Sequence, residues 1–362
     1  MVALAALLGT VIIAGVLWDA FETVILPRRV TRRFRLTRFF YQYTWRPWAA
    51  VARRLPNRRR ESFLGLYGPL SLLQLLALWA VGLVIGFALL QWAAGTRLQG
   101  AGTRPIFATD LYFSGTTFFT LGMGDVRPDS TVSRVLTVFE TGMGFAFLAM
   151  VISYLPVVYQ SFSRREVNIS LLDARAGTPP TAAELLRRNA DHTSSLENIL
   201  HEWEHWAAEL LESNISYPVL GYFRSQHDNQ SWLGALTSIL DAAALCQVAL
   251  ERAPVRQAQL TFAMARHAVV DLAQVYNTPP HHATERLAQE HLQLLREQLA
   301  AGGVYLKPDP ALEWKLAELR GMYEPYVAAL AEYFLVQLPP WHRPADAHDN
   351  WRTSRWGGAL SA

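Results

Sequence analysis

Three apolar stretches in the first half of the chain restrict its fold more than any other feature. Residues 1–18 carry no charge, residues 62–96 form an uncharged run, and residues 135–163 are interrupted only by Glu140. A helix that crosses a bilayer needs about 20 apolar residues, each adding about 1.5 Å. The first stretch reaches this length once it is extended to Leu26. The sequence therefore predicts an all-α membrane protein with three membrane-spanning helices.

Composition excludes several other classes of protein. Hydrophobic residues make up 51% of the chain and charged residues only 17%, whereas a soluble domain has roughly 25% charged residues. Cys246 is the single cysteine, which excludes an internal disulfide framework and a cysteine-based zinc ribbon. The first apolar stretch lacks the basic start and the cleavage site of a secretory signal. Residues 1–26 are therefore predicted to remain as an N-terminal transmembrane helix.

Residues 27–61 form a strongly basic linker. Twelve arginines and no acidic residue lie between Arg28 and Arg60, and aromatic residues alternate with them. Arginines beside a membrane segment stay in the cytoplasm. This predicts a multi-pass protein of the cytoplasmic (inner) membrane, with its N-terminus outside and its C-terminus in the cytoplasm. We expect the linker to lie on the inner leaflet and to bind anionic lipid through Arg28–Arg60.

The basic linker has other interpretations, which we consider weaker. Arginines recur at every third position of residues 29–38, as in a voltage-sensing helix, but only one membrane helix precedes them and a voltage sensor is a four-helix bundle. Arginine with aromatic residues also suits nucleic-acid binding, which we do not expect here. Asp19 and Glu22, at the inner end of the first helix, are predicted to form salt bridges with Arg28 or Arg29.

Residues 105–130 lie between two predicted spans whose shared ends are outside, and they are too short to cross the membrane twice. A re-entrant segment fits this position, because irregular backbone at membrane depth is tolerated where it faces protein or water. A short helix is predicted over residues 109–119, with Thr109 as its N-cap and Asp110 near its positive end.

The segment that follows this helix, residues 120–125, reads Thr-Leu-Gly-Met-Gly-Asp. Alternating glycines can adopt backbone conformations that are closed to other residues. An extended strand can then point successive carbonyls to one side, where they replace the water shell of a dehydrated cation. The pattern indicates an ion-selective filter.

This run resembles the Thr-Val-Gly-Tyr-Gly-Asp signature of potassium channels. The resemblance covers an ion-channel pore domain at residues 62–163, with an outer helix at 63–93, the pore helix at 109–119 and an inner helix at 131–160. It implies potassium ions as the permeant species, no cofactor, no enzymatic activity, and a homotetramer around a central pore. The candidate filter residues are Thr120, Leu121, Gly122, Met123, Gly124 and Asp125, with Thr116 and Thr117 as pore-helix support.

Three positions depart from the family pattern. Leu121 replaces valine, which is conservative, and Met123 replaces the aromatic residue that packs behind the outer carbonyls. Thr116 occupies a position where many members have a glutamate. A softer surround at Met123 leaves two alternatives open, a potassium-selective channel and a weakly selective monovalent cation channel.

The inner helix contains further candidates for function. The resemblance places a gating hinge at Gly142 and Gly144, whereas close helix packing by small residues is the alternative. Glu140 is an acid inside the membrane and is functional by default. It could face the pore, or pair with a backbone group or with Arg134 behind the filter.

The rest of the chain is predicted to be a cytoplasmic helical domain at residues 164–340, followed by a flexible tail at 341–362. A capping box at Thr181 and Glu184 starts one of about five helices, which proline and glycine pairs separate. We expect gating at the inner helix, with regulation by this domain.

One motif in this domain favours a different class of function. Residues 201–205 read His-Glu-Trp-Glu-His, the His-Glu-x-x-His pattern of zinc metalloproteases, so His201 and His205 are candidate metal ligands. A membrane zinc metallohydrolase that uses His201, Glu202 and His205 is therefore an alternative to the channel. Such a site needs a third ligand, for which Glu209 or Glu212 is a candidate. A non-conducting, lipid-anchored scaffold is the third class.

Overall fold

A computed structural model describes residues 2–26, 36–94, 98–99, 107–189, 193–227, 229–250, 253–281, 285–307, 311–345, 347 and 349–350. The protein is an all-α membrane protein, and the chain divides into two compact units, residues 1–160 and 161–362. The predicted boundary was residue 164, in the same part of the inner helix.

Three helices among the described residues are long and apolar enough to cross a membrane, Val2–Ile25, Arg59–Ala93 and Thr131–Ala176. The first of these contains helix α1 (Val2–Ala20) and ends in a π-helical turn, Phe21–Ile25. Two short antiparallel strands, β1 (Leu98–Gln99) and β2 (Arg127–Pro128), pair near the re-entrant segment. The helices of the first unit are α1 (Val2–Ala20), α2 (Leu36–Ala52), α3 (Asn57–Ala93) and α4 (Phe107–Phe118), and α5 (Thr131–Ala176) begins in the first unit and ends in the second.

Two of these helices are longer than predicted. The outer helix α3 begins at Asn57 and not at 63, directly after Pro56, and the inner helix α5 continues to Ala176 and not to 160. Hydropathy detects only the apolar part of a helix, whereas charged residues can continue it. Helix α5 ends where Gly177 adopts a φ of +78°, a left-handed conformation that suits glycine at a helix C-terminus.

The pore helix α4 is shifted relative to the prediction. It spans Phe107–Phe118, so Thr109 lies inside its first turn and is not its N-cap. Asp110 does lie in the first turn of α4, as expected, and is buried.

Helix α1 packs on α3 through small residues. A Cβ atom added to Gly86 would lie 2.6 Å from Cγ1 of Ile13, and one added to Gly9 would lie 2.7 Å from the carbonyl oxygen of Gly86. Gly82 and Gly86 form a Gly-x-x-x-Gly motif, which lets helix backbones approach closely in membranes. The motif explains how the additional N-terminal helix attaches to the outer helix.

A buried carboxylate connects α1, α2 and α3. Asp19 is only 4% exposed. Its Oδ2 accepts hydrogen bonds from the Thr37 hydroxyl at 2.6 Å and from Nε1 of Trp79 at 3.0 Å, and the Thr37 amide N–H lies 3.1 Å from Oδ1. A carboxylate at the first turn of α2 is stabilised by the helix dipole. The predicted partners of Asp19, Arg28 and Arg29, lie outside the described residues.

The second unit surrounds one apolar helix. This helix, α8 (Trp232–Val248), is buried along almost its whole length, and its Asp241 forms an ion pair with Arg286 at 2.6 Å. Seven α-helices follow α5 within the described residues, where about five were expected. They are α6 (Ala182–Arg188), α7 (Thr193–Ser216), α8 (Trp232–Val248), α9 (Val255–Val275), α10 (Gln289–Ala301), α11 (Leu312–Gly321) and α12 (Glu324–Phe334).

The predicted capping box at the start of α6 forms only in part. The Thr181 hydroxyl accepts a hydrogen bond from the Glu184 N–H at 3.3 Å, but the Glu184 carboxylate bonds to Arg187 and Arg188, at 2.7 Å each. Burial alone would raise the pKa of Glu184, but these hydrogen bonds and charges outweigh it and lower the pKa to about 2. A third guanidinium, that of Arg343, lies 3.3 Å from the same carboxylate.

The start of the predicted tail is packed against the second unit. Trp341 is fully buried, and the buried Asp349 forms ion pairs with Arg188 and Arg343, both at 3.0 Å. The prediction of a flexible tail from residue 341 is therefore wrong for Trp341 and Asp349, because a large apolar side chain and an ion-paired carboxylate hold these residues in place. Residues 351–362 lie outside the described residues.

Candidate functional site

The pore helix ends in a motif that sets the direction of the filter segment, residues 120–125. The Thr120 N–H donates to the Thr117 carbonyl at 3.0 Å, and the Leu121 N–H donates to the Thr116 carbonyl at 2.8 Å. These two bonds form a Schellman motif, whose left-handed residue is usually glycine. Here Thr120 occupies that position with a φ of +55°. The backbone bonds hold this uncommon conformation in place.

The filter segment alternates in backbone handedness. Thr120, Gly122 and Gly124 have φ values of +55°, +56° and +76°, whereas Leu121 and Met123 do not enter the positive-φ region. Alternating handedness turns successive carbonyl oxygens to the same side, where they can replace the hydration shell of a cation. Residues 120–125 are all exposed within the single chain.

Tyr112 braces the outer part of the filter segment. Its hydroxyl donates to Oδ2 of Asp125 at 2.9 Å and lies 3.5 Å from the sulfur of Met123. The sequence interpretation missed this residue. The sequence did contain a signal for it. The predicted pore helix carries a tyrosine, whereas the filter has Met123 in place of the aromatic residue of the family pattern.

Thr116 and Thr117 support the filter from the helix and not through hydroxyl contacts to it. The Thr116 hydroxyl donates to the Phe113 carbonyl within its own helix at 2.9 Å, so its contribution to the filter is the backbone carbonyl that accepts from Leu121. Thr117 is buried, and its carbonyl accepts from Thr120.

Arg127 is a second residue that the sequence interpretation missed. Its Nε donates to the Gly124 carbonyl at 2.9 Å, and its backbone pairs with Gln99 across the two short strands. The guanidinium therefore fixes the outer end of the filter segment, because it binds the carbonyl of Gly124, the second of the two filter glycines.

The two glycines of the inner helix have different surroundings. A Cβ atom on Gly144 would overlap the carbonyl oxygen of Phe118, the last residue of the pore helix, whereas a Cβ atom on Gly142 would meet no atom within 4 Å. Close packing thus explains Gly144, and the predicted hinge at Gly142 and Gly144 stays a prediction.

Glu140 lies inside the first unit and is 0% exposed. Its Oε1 forms a hydrogen bond with the hydroxyl of Ser114 on α4, and the same hydroxyl lies 2.8 Å from the carbonyl oxygen of Val84 on α3. Arg134, a predicted partner, donates instead to the Pro128 carbonyl at 3.4 Å. The acid therefore contacts the pore helix from behind.

A second polar contact joins the same outer and inner helices through residues that are not on the pore helix. The Ser133 hydroxyl donates to Oε1 of Gln91 at 2.5 Å. Both side chains are buried.

A comparison with known proteins finds a similarity in this region. Residues 75–161 match the protein-family model described as ion channel. This segment is therefore similar to the ion channel family. It includes the second half of the outer helix, the pore helix, the filter segment and the inner helix up to the start of the second unit.

A curated relative matches a larger part of the chain. The uncharacterized membrane protein YdjJ of Bacillus subtilis (strain 168) is 23% identical over 184 residues, which are 50% of this chain and 53% of that protein. The chain spans about half the length of the curated relative it matches. No solved structure matches the chain.

The His-Glu-x-x-His motif lies on α7, outside the ion-channel segment. His201 and His205 are exposed and their rings lie 4.7 Å apart between centroids, while Glu202 forms an ion pair with Arg175 at 2.5 Å. The described residues contain no group of three or more His, Cys, Asp or Glu side chains that could hold a metal ion. Glu209 and Glu212 therefore do not join His201 and His205 as a third ligand in the described part of the chain.

Proposed function

We propose that the protein is a potassium-selective channel that conducts dehydrated potassium ions past the carbonyls of the filter segment. The observation that carries the proposal is the alternation of positive φ values at Thr120, Gly122 and Gly124. A row of carbonyl dipoles is the means by which potassium filters replace water. The match of residues 75–161 to the ion channel family supports the same conclusion.

Exposed surfaces of the ion-channel segment support assembly into a homotetramer. A single filter strand cannot surround an ion. In addition, only 11% of the most apolar stretch of α5 is buried within the chain, whereas 56% of the corresponding stretch of α3 is buried. Apolar residues at every seventh position of α5 are exposed, which favours packing of inner helices from several copies around an axis. These residues are Val138, Phe145, Ile152 and Tyr159.

Potassium flux into liposomes that contain the purified protein tests the proposal. Gly122→Ala should abolish the flux, because a Cβ at a φ of +56° is strained. Glu202→Ala should leave the flux unchanged, since that residue pairs with Arg175 on the surface of the second unit. Flux that is insensitive to Gly122→Ala would contradict the channel, and loss of function only with Glu202→Ala would favour the metallohydrolase. No flux in any variant would favour the non-conducting scaffold.

A weakly selective monovalent cation channel is the second candidate, and Met123 favours it. Its side chain is 69% exposed in the single chain and is more flexible than an aromatic ring. The bond between Tyr112 and Asp125 opposes this effect, because it holds the outer end of the filter segment. Reversal potentials with potassium on one side and sodium on the other distinguish the two candidates.

The basic linker supports an orientation in which the membrane helices lie in the cytoplasmic (inner) membrane. The linker and the second unit then lie on its cytoplasmic side. Helix α2 buries Tyr41 and Trp45 and exposes Arg38 and Arg46 on its surface. Such a face suits an anionic lipid surface. Flux in phosphatidylcholine liposomes should rise when phosphatidylglycerol is added, and Arg38→Gln with Arg46→Gln should remove that rise.

The inner helix also provides a route for regulation by the second unit. Helix α5 continues to Ala176, and its buried Arg165 donates to the carbonyls of Leu220 and Phe223, both at 2.8 Å. A rearrangement around the Leu220–Phe223 turn would act directly on α5. Deleting residues 181–362 and comparing flux across pH and added zinc tests this regulation, and an identical response in the truncated protein would contradict it.

A further inference from the structure

A chain of two hydrogen-bond contacts crosses the first unit behind the filter segment. It runs from Glu140 on α5 to the Ser114 hydroxyl on α4 and on to the Val84 carbonyl on α3. Ser114 is fully buried, as is Glu140. Acids buried inside membrane segments are costly and are retained for function.

The number of protons in this chain is limited. A serine hydroxyl has one proton and donates one hydrogen bond. The Val84 carbonyl oxygen can only accept, so both contacts of Ser114 are hydrogen bonds at the same time only if its proton points to Val84, across 2.8 Å. The hydrogen bond between Ser114 and Glu140 then needs a proton on the Glu140 carboxyl group. Glu140 supplies it only as a carboxylic acid.

The surroundings of Glu140 agree with a neutral side chain. No ion pair to Glu140 is formed by the residues that the structure describes, and its Oε2 has no hydrogen-bond partner there. A buried carboxylate with one unpaired oxygen and no cation carries a large desolvation penalty. The carbonyl oxygen of a neutral acid carries a much smaller one.

The position of Ser114 connects this chain of bonds to conduction. Ser114 lies two residues before Thr116, whose carbonyl anchors Leu121 at the start of the filter segment. The contacts with Glu140 and Val84 hold this part of the pore helix to both the inner and the outer helix. Movement of the helix end would move the first filter carbonyls.

We propose that Glu140 is a protonated positioning residue whose carboxylic acid donates to Ser114 and thereby holds the pore helix and the filter in register. This inference rests on the proposed channel function. Glu140 does not touch the permeating ion and acts through Ser114.

Two substitutions of similar size separate a donor from a merely space-filling side chain. Glu140→Gln keeps an N–H donor toward Ser114 and should retain the potassium-to-sodium permeability ratio of the native protein. Glu140→Leu fills the space without a donor, and the ratio should fall about fivefold, as expected for loss of one buried hydrogen bond. Ser114→Ala should reproduce the effect of Glu140→Leu, and the double variant should add nothing further.

Ser133→Ala is the matched control, because it removes a buried hydroxyl bond between α3 and α5 in which no residue of the pore helix takes part. It should lower the thermal stability and leave the permeability ratio unchanged. A Glu140→Gln channel as impaired as Glu140→Leu would overturn the proposal, since an ionised carboxylate would then be required. Failure of the native protein to conduct would instead overturn the channel function.

Infrared spectroscopy tests the protonation state even if a variant does not conduct. The native protein should show a carbonyl stretching band of a protonated carboxyl group that Glu140→Gln removes. A carboxylate band lost in its place would overturn the inference.

Discussion

The hydroxyl of Tyr112 on the pore helix donates to the carboxylate of Asp125 at the outer end of the filter segment, at 2.9 Å. The bond closes the re-entrant segment on itself, because it joins helix α4 to the far end of the filter segment, whereas the Schellman motif joins them at Thr120 and Leu121. The filter lacks an aromatic residue at Met123, and the pore helix supplies an aromatic hydroxyl nearby.

Tyr112→Phe should weaken the discrimination between potassium and sodium. The phenyl ring keeps the shape of the side chain but removes the donor to a carboxylate, and such bonds contribute about 1.5–3 kcal/mol when they are not exposed. Because Tyr112 is partly exposed, we expect a fall in the permeability ratio of about threefold. Bi-ionic reversal potentials measure it. Tyr43→Phe on the exposed face of α2 is the control, and equal ratios for both variants would contradict the role of Tyr112.

Met123→Tyr should sharpen the discrimination against sodium. A rigid ring loses less conformational freedom than methionine when it packs behind the outer carbonyls. Met123→Leu keeps a flexible apolar side chain and should leave the reversal potential unchanged. An unchanged or lower potassium preference in Met123→Tyr would mean that the bond between Tyr112 and Asp125 already braces the filter fully.

Gly144→Ala and Gly142→Ala form a matched pair on the inner helix. The methyl group at 144 would overlap the Phe118 carbonyl, whereas the one at 142 meets nothing within 4 Å. Overpacking typically costs about 1–3 kcal/mol, while alanine in an unobstructed helix position is better than glycine by about 1 kcal/mol. Gly144→Ala should therefore lower both the melting temperature in detergent and the flux, and Gly142→Ala should not lower the melting temperature. Equal effects at both positions would favour a flexible hinge over close packing.

Long apolar runs allowed the membrane helices to be predicted from the sequence, because bilayer thickness fixes the length that must be apolar. The predicted start of α3 and the predicted end of α5 were wrong, because hydropathy does not register the charged helical residues that lie beyond the apolar run. The Gly-x-x-x-Gly motif at Gly82 and Gly86 was readable in the sequence and was overlooked. The filter at residues 120–125 stays a prediction, which rests on its glycines together with the membrane helices on either side.

Contacts between distant residues could not be predicted in this way. Asp19 meets Thr37 and Trp79, and neither periodicity nor spacing pairs residues so far apart in the chain. The partner of Glu140 was left open for the same reason, since helical spacing places a residue on a face but does not show which neighbour covers it.

The Glu184 cluster should make the second unit sensitive to acid. The pKa of this carboxyl is lowered from its usual 4.5 to about 2, so its contribution to stability is complete above about pH 4.5 and is lost as the pH falls towards 2. Glu184→Gln removes charge-assisted hydrogen bonds to Arg187 and Arg188 and should cost about 2 kcal/mol at pH 7. The difference between the native protein and Glu184→Gln should shrink when thermal unfolding of the full chain is measured at pH 3. Glu197→Gln on the exposed surface of α7 should show no such pH dependence, and a difference that grows on acidification would contradict the role of the cluster.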